Sequence, residues 1–200
     1  MSLESKIRDR LDSLKPAVTT IYYSNGEVHQ ETRDKDGNSA VQKLNSSSPG
    51  YIIDEVPDLS VSKILPWLYL GSQDVIFDYE LLKSNNITHI LSIGIPCPPY
   101  SDIKNTFFEA LDLEEFRIVD LFEKCIETID EVHRDSGIIY IHCNAGVSRS
   151  PTIVAAYLMH SSKINCTEAL NMIKLVRPKI NPNYGFLKQL REFEKLIIKK

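Results

Sequence analysis

Apolar residues along this chain change their spacing from segment to segment, and each change marks an element. Residues 61–70 are apolar-rich and read as a first strand region. Residues 74–84 carry helical spacing, 87–93 and 106–111 read as strands, and 116–134 repeat apolar residues as a long amphipathic helix does. Gly137-Ile-Ile-Tyr-Ile-His142 is almost continuously apolar, the pattern of a strand covered on both faces. Three helices are predicted near 149–162, 167–177 and 184–198, with Pro178 and Pro182 separating the last two. Phe186, Leu187, Leu190 and Phe193 recur at helical spacing and belong to a core. Strands alternating with helices predict an α/β fold: a central, mostly parallel twisted sheet flanked by helices.

Ahead of this region the pattern weakens. Residues 3–14 suit a polar helix. Ile21 to His29 hold an Asn25-Gly26 turn signal between short strand-like runs. Residues 33–50 are polar and turn-rich and read as a linker. The expected organisation is therefore an N-terminal extension over 1–58, partly disordered, and one folded domain over 59–198. Arg8, Arg10, Leu11 and Leu14 loosely follow a basic-plus-apolar docking pattern, which Asp9 and Asp12 dilute.

Composition narrows the function classes. At 200 residues and 42% hydrophobic content, one main domain can bury a core. A net charge of −4 argues against a nucleic-acid partner. No stretch approaches the roughly 20 apolar residues of a membrane span, so no membrane association is expected. Residues 1–20 lack the apolar run of a signal peptide, and Ser2 excludes N-myristoylation. Cysteines 97, 125, 143 and 166 show no framework spacing, which suits a reducing cytoplasm or nucleus. Histidines 29, 89, 133, 142 and 160 show no ligand spacing, so neither a metal nor another cofactor is expected.

The chemistry concentrates in His142-Cys-Asn-Ala-Gly-Val-Ser-Arg-Ser150, between the buried strand and a helix whose first turn carries Pro151. Backbone N–H groups in such a loop turn inward, the helix N-terminus adds positive potential, and Gly146 tolerates geometry that other residues resist. The loop residues Asn144, Ala145, Gly146, Val147 and Ser148 can thus cradle a phosphate. Cys143 at its base is favoured as thiolate, because such sites bring a thiol from roughly 8.5 down to about 3.5–7.5. Arg149 offers a planar fork to two phosphate oxygens, a geometry lysine cannot reproduce. Ser150 can donate to the sulfur when it leaves, and His142 can orient the loop through its ring N–H without acting as a base.

These residues resemble the cysteine-dependent protein tyrosine phosphatase superfamily, whose motif is His-Cys-x5-Arg-Ser/Thr. The resemblance extends over about residues 60–197 and narrows to its small dual-specificity phosphatases. Its supports are Lys63 to Asp74, Ile87 to Ser92, the loop itself, Ala156 to Met159, and Arg177 to Phe186. It implies a phosphatase acting on phosphotyrosine and phosphoserine/phosphothreonine through a cysteinyl-phosphate. It also implies phosphoprotein partners, such as a MAP kinase or an upstream kinase in a stress pathway, and action as a monomer. Family members place an acid on a loop about thirty residues before the cysteine. Asp112, 31 residues before Cys143, fits, with Glu114 and Glu115 as near competitors and Asp120 as a weaker one. Asn183 in the Pro-Asn-x-Gly-Phe stretch packs near the loop in this family and is expected to support it. Arg177 reads as a structural salt-bridge residue, with contact to a second phosphate as the alternative. The loop's variable positions are uncharged, which favours phosphoprotein over inositol lipid or RNA triphosphate. A phosphate-binding scaffold is the other reading, although such proteins typically lose the Cys or Arg that this chain keeps.

Overall fold

The computed structural model describes residues 17–22, 28–33, 39–44 and 57–198. The chain divides into two compact units, Met1–Val56 and Pro57–Lys200.

In the first unit, β1 (Ala17–Tyr22), β2 (Val28–Arg33) and β3 (Ser39–Leu44) form an antiparallel sheet in that order. Tyr22 pairs with Val28 across the first connection, and Arg33 with Ser39 across the second. The Asn25-Gly26 signal and the helix expected over 3–14 lie outside the described residues. The expected linker over 33–50 requires correction, because Ser39–Leu44 within it is a strand. Its partners on β2 are mostly polar, as in Gln30 opposite Gln42 and His29 opposite Lys43. Main-chain pairing holds such a strand, and apolar periodicity does not register it.

In the second unit, the single strand region expected over 61–70 is a hairpin. β4 (Ser62–Leu65) and β5 (Leu68–Gly71) run antiparallel around Pro66-Trp67, since proline cannot continue a ladder. The remaining strands are β6 (His89–Ile93), β7 (Lys104–Phe108) and β8 (Ile139–His142). The order is β4-β5-β8-β6-β7, and every pairing except β4 with β5 is parallel.

The helix expected over 74–84 is split. A 3-10 turn over Gln73–Phe77 gives way at Asp78, whose carboxylate caps Leu81 N–H at 2.9 Å and starts α1 (Tyr79–Ser84). The helix expected over 116–134 is likewise a 3-10 turn, Ile118–Leu121, followed by α2 (Phe122–Arg134). Three helices complete the unit: α3 (Arg149–Ser162), α4 (Cys166–Val176) and α5 (Tyr184–Ile198).

Alternation along the strands sorts side chains to two cores. Leu68, Leu70, Leu91, Ile93, Ile139 and Ile141 face the cluster that includes α2 and α3. Tyr69, Ile90 and Tyr140 face a smaller one with Val75, Ile76 and Leu82. α3 is buried from Ser150 through Met159 and packs against α2, α4 and α5. Each of its fully buried Ile, Val, Leu and Met side chains contributes about 1.5–3 kcal/mol, so the helix following the loop is firmly seated. β8 is central and buried along its whole length, and it delivers Cys143 at its C-terminal end.

The second unit begins two residues before the boundary expected at 59. Asp58 is tied into it: its carbonyl accepts from Ser72 Oγ at 2.7 Å, and its N–H donates to Asp74 Oδ2 at 2.9 Å.

Candidate active site

Between β8 and α3, five consecutive carbonyls are each taken by a donor of the scaffold. Cys143 O accepts from His142 Nδ1 at 3.1 Å, and Asn144 O from Gln73 N–H at 2.8 Å. Ala145 O and Gly146 O accept from Arg177, through Nη2 at 3.0 Å and Nε at 2.8 Å. Val147 O accepts from Asn181 N–H at 2.8 Å. In a trans peptide the C=O of one residue and the N–H of the next point in opposite directions. Turning these carbonyls toward the scaffold therefore turns the N–H groups of residues 144–148 the other way. Among the described residues none of those N–H groups has an acceptor. Such a row of free donors is an oxyanion nest. Gly146 completes it at φ +64°, where a Cβ would lie 2.3 Å from Gly71 O.

Cys143 stands at the base of this nest, 1% exposed. Ser150 Oγ lies 3.2 Å from its sulfur. The Cys143 carbonyl can only accept, so His142 carries its hydrogen on Nδ1, and Nε2 accepts from Ser92 Oγ at 2.8 Å. Burial lowers the His142 pKa to about 4, with Arg149 adding to the effect against the bond to Cys143 O. The ring is neutral and fully engaged in orienting the strand end. The remaining cysteines lie away from the loop: burial pushes Cys97 up to about 11 and Cys125 up to about 12, and also raises Cys166. Those three are inert thiols within the core.

Arg149, at the first turn of α3, folds back over the loop. Its Nη1 donates to Ala110 O at 3.2 Å, while its buried Nε has no hydrogen-bond partner. A guanidinium N–H without a protein acceptor beside a row of free backbone donors is suited to binding an oxyanion. Gly94 makes room for it: at φ +83°, a Cβ there would sit 2.3 Å from both Arg149 Nη1 and Ala110 O.

The strand expected over 106–111 would end beside Asp112. β7 stops at Phe108, and Asp112 stands four residues beyond, in an irregular segment. Side chains hold it there. Its Oδ1 accepts from Ser148 Oγ at 2.7 Å and from Asn183 Nδ2 at 2.9 Å, and its Oδ2 lies 3.6 Å from Arg149 Nε. Asn183 also accepts from Phe186 N–H at 2.9 Å and so fixes the start of α5. The competitors are placed differently. Asp120 pairs with Arg117 at 2.9 and 3.0 Å, and the exposed Glu114 and Glu115 side chains make no such contact among the described residues.

Arg177 is 2% exposed and lies behind the loop, so it is not open to a second phosphate. Sequence reasoning missed the residues that hold the loop from outside: Gln73, Ser92, Asn181 and Asp58. Three of these act largely through backbone groups or short hydroxyls, which carry no sequence signal. Ser148 had been assigned to phosphate binding alone, and its hydroxyl also holds Asp112. Among the described residues no three His, Cys, Asp or Glu side chains are grouped to hold a metal, and no helix is long and apolar enough to cross a membrane.

Comparison with known proteins agrees with this geometry. Residues 68–196 match the dual specificity phosphatase catalytic domain family. The mouse dual specificity protein phosphatase 19 is 37% identical over 198 residues, covering 96% of this chain and 90% of that protein. A MAP kinase phosphatase with leucine-rich repeats from Dictyostelium discoideum is 40% identical over 70% of this chain, which spans 16% of that longer protein. The crystal structure of DUSP15 superposes with a TM-score of 0.65 at 40% identity, covering 67% of this chain and 86% of that one. The chain belongs to the dual-specificity phosphatases, as one of the small atypical members of the protein tyrosine phosphatase superfamily. It is a protein phosphatase of that class.

Proposed function

We propose that this protein hydrolyses phosphotyrosine and phosphoserine/phosphothreonine in proteins through a cysteinyl-phosphate intermediate, with Cys143 as nucleophile. The observation that carries this reading is the row of five outward-turned carbonyls above a buried cysteine. It supports a site preorganised for three phosphate oxygens, which needs no reorganisation as charge develops. In the proposed sequence, the Cys143 thiolate attacks phosphorus in line, while Arg149 and the N–H groups of residues 144–148 hold the equatorial oxygens. Asp112 protonates the leaving oxygen. Water then attacks the phosphocysteine with Asp112 as base, and the sulfur departs toward the Ser150 hydroxyl.

The uncharged loop side chains Asn144, Ala145, Val147 and Ser148 favour a phosphoprotein over a polyphosphorylated lipid. The similarity to a MAP kinase phosphatase favours a doubly phosphorylated kinase activation loop as substrate. A catalytic thiol works best in a reducing compartment, which supports the cytoplasm or nucleus as the site of the reaction.

The test is metal-free hydrolysis of p-nitrophenyl phosphate by freshly reduced protein, with and without vanadate, beside Cys143→Ser. Vanadate-sensitive turnover that disappears in the variant supports the thiolate mechanism. Phosphorylated activation-loop peptides then compete against an inositol phospholipid and a 5′-triphosphorylated RNA. Preference for either of the latter overturns the substrate assignment, and no turnover of any substrate favours a phosphate-binding scaffold.

A further inference from the structure

We infer that Asp58 is a positioning residue of the phosphate loop. Through the buried Arg177 it holds the Ala145 and Gly146 carbonyls outward, and so keeps the Gly146 and Val147 N–H groups turned toward the phosphate. The inference rests on reading the loop as a phosphate site.

The geometry is a relay of two links. Arg177 Nη2 meets Asp58 Oδ2 at 2.6 Å and Ala145 O at 3.0 Å, while Nε meets Gly146 O at 2.8 Å. Among the described residues its Nη1 reaches Ser60 O and Ser62 Oγ, both at 3.4 Å. A guanidinium 2% exposed is costly to bury without an opposite charge. Asp58 is the one carboxylate that contacts it among the described residues. Two neutral carbonyls do not balance that charge. Without Asp58, Arg177 is driven toward solvent, and its hold on the middle of the loop goes with it.

Asp58 is itself held in place. Its carbonyl and N–H are fixed by Ser72 and Asp74, its Oδ1 accepts from Ser60 N–H at 3.2 Å, and its Oδ2 meets Lys179 Nζ at 2.5 Å. Ser72 and Asp74 flank Gln73, whose N–H holds Asn144 O. The segment Pro57–Ser62 thus reaches three adjacent loop carbonyls, one through its neighbour Gln73 and two through Arg177. Burial works against ionisation of Asp58, but its bonds to Lys179, Ser60 and Arg177 outweigh that and hold its carboxyl well below the usual carboxylate range. The charge needed by Arg177 is therefore present throughout the physiological pH range.

The experiment uses the full chain. Asp58→Ala, Asp58→Asn, Asp58→Glu and Lys179→Ala are compared with wild type by three measurements. These are thermal midpoint, competitive inhibition by inorganic phosphate, and the pH dependence of Cys143 alkylation by iodoacetamide. A loosened nest predicts phosphate inhibition weakened about 10- to 100-fold in Asp58→Ala, the scale of loss from misplaced binding groups. It also predicts alkylation midpoints moved to higher pH, with partial recovery in Asp58→Glu. Lys179→Ala, which removes an exposed partner of Asp58 but keeps the Asp58–Arg177 pair, is expected to move both readouts far less than Asp58→Ala. Asp58→Asn keeps the side chain's volume and is read the same way where the alanine chain does not fold. A lower thermal midpoint with unchanged phosphate inhibition and an unchanged alkylation profile overturns the inference, because Asp58 is then only structural. A wild type that neither turns over p-nitrophenyl phosphate nor binds phosphate overturns the phosphatase reading instead, a separate outcome.

Discussion

Ser150 Oγ lies 3.2 Å from Cys143 Sγ, and both residues are buried. In the proposed reaction sequence the sulfur attacks the substrate as a thiolate. In breakdown of the phosphocysteine it must become one, so a hydroxyl aimed at it stabilises the second step more than the first. Ser150→Ala is expected to lower kcat by about 10²-fold, the scale of losing one preorganised donor. Phosphoenzyme should accumulate as it does so. Rapid-quench measurement of the p-nitrophenol burst checks this, and a variant with neither a slower steady state nor a burst refutes the role.

Asp112 makes contact with Ser148, Asn183 and Arg149 at once. In the proposed mechanism this carboxyl protonates the leaving oxygen, and the need for such an acid grows with the basicity of that oxygen. Asp112→Asn is expected to cost about 10²–10⁴ in rate on phosphotyrosine peptide, and far less on an activated aryl phosphate. Equal losses on both substrates would falsify the acid role. Asn183→Ala, which removes one of the two hydrogen bonds to Oδ1, should show the same leaving-group trend at smaller amplitude.

The difference between what pattern reading found and what it missed is physical. His142, Cys143, Arg149 and Ser150 were legible because a buried strand, a glycine and a helix start coincide around them. The strand and helix spacings were legible because burial imposes a period on side chains. β3 was not, because Ser39–Leu44 is held by main-chain pairing with β2 and carries little apolar alternation. Asp58 was read as part of an extension for a related reason. Its partner Arg177 is 119 positions away, and one carboxylate among several in a mixed polar and apolar stretch has no local pattern that marks it. The interruptions at Asp78 and Leu121 were hidden because the 3-10 pieces before them, 5 and 4 residues long, are too short to show a period different from that of the α-helix that follows.

The position of Asp58 makes truncation informative. A chain starting at Pro57 keeps the Asp58–Arg177 pair, whereas one starting at Leu59 leaves a buried guanidinium without its carboxylate. Removing one partner of a buried pair costs about 3–5 kcal/mol. The Pro57 chain is expected to hydrolyse aryl phosphate at close to the full-length rate, and the Leu59 chain to be markedly less stable in urea. Equal stabilities of the two chains would show that the pair contributes nothing.

Gly94 and Arg149 are coupled by space. Gly94 has φ +83°, and an added Cβ would lie 2.3 Å from Arg149 Nη1 and from Ala110 O. The flexible end of the arginine can move away, but the Ala110 backbone cannot do so cheaply, and the positive φ is itself unfavourable for alanine. Gly94→Ala is therefore expected to displace Arg149 from its bond to Ala110 O. It should lower kcat/KM by on the order of 10²-fold, since small misplacements of a binding group carry that cost. Steady-state kinetics on p-nitrophenyl phosphate, with far-UV circular dichroism to establish folding, measures the effect.

His142 links the site to pH. Its ring is held neutral between Cys143 O and Ser92 Oγ, and burial lowers its pKa from 6.5 to about 4. Between those values the unfolded chain binds a proton that the folded chain does not. Folding stability therefore rises with pH across that window. The contribution is complete above about 6.5 and is lost as pH falls toward about 4, a full swing of about 3 kcal/mol. Burial also lowers the pKa of His89, which is present in wild type and variant alike and cancels in the difference between them. Urea unfolding of wild type and His142→Gln from pH 4 to pH 7 should show a steep pH dependence in the first that is reduced in the second. Parallel curves would mean that the ring titrates alike in the folded and unfolded chains, and that its two hydrogen bonds do not hold it neutral.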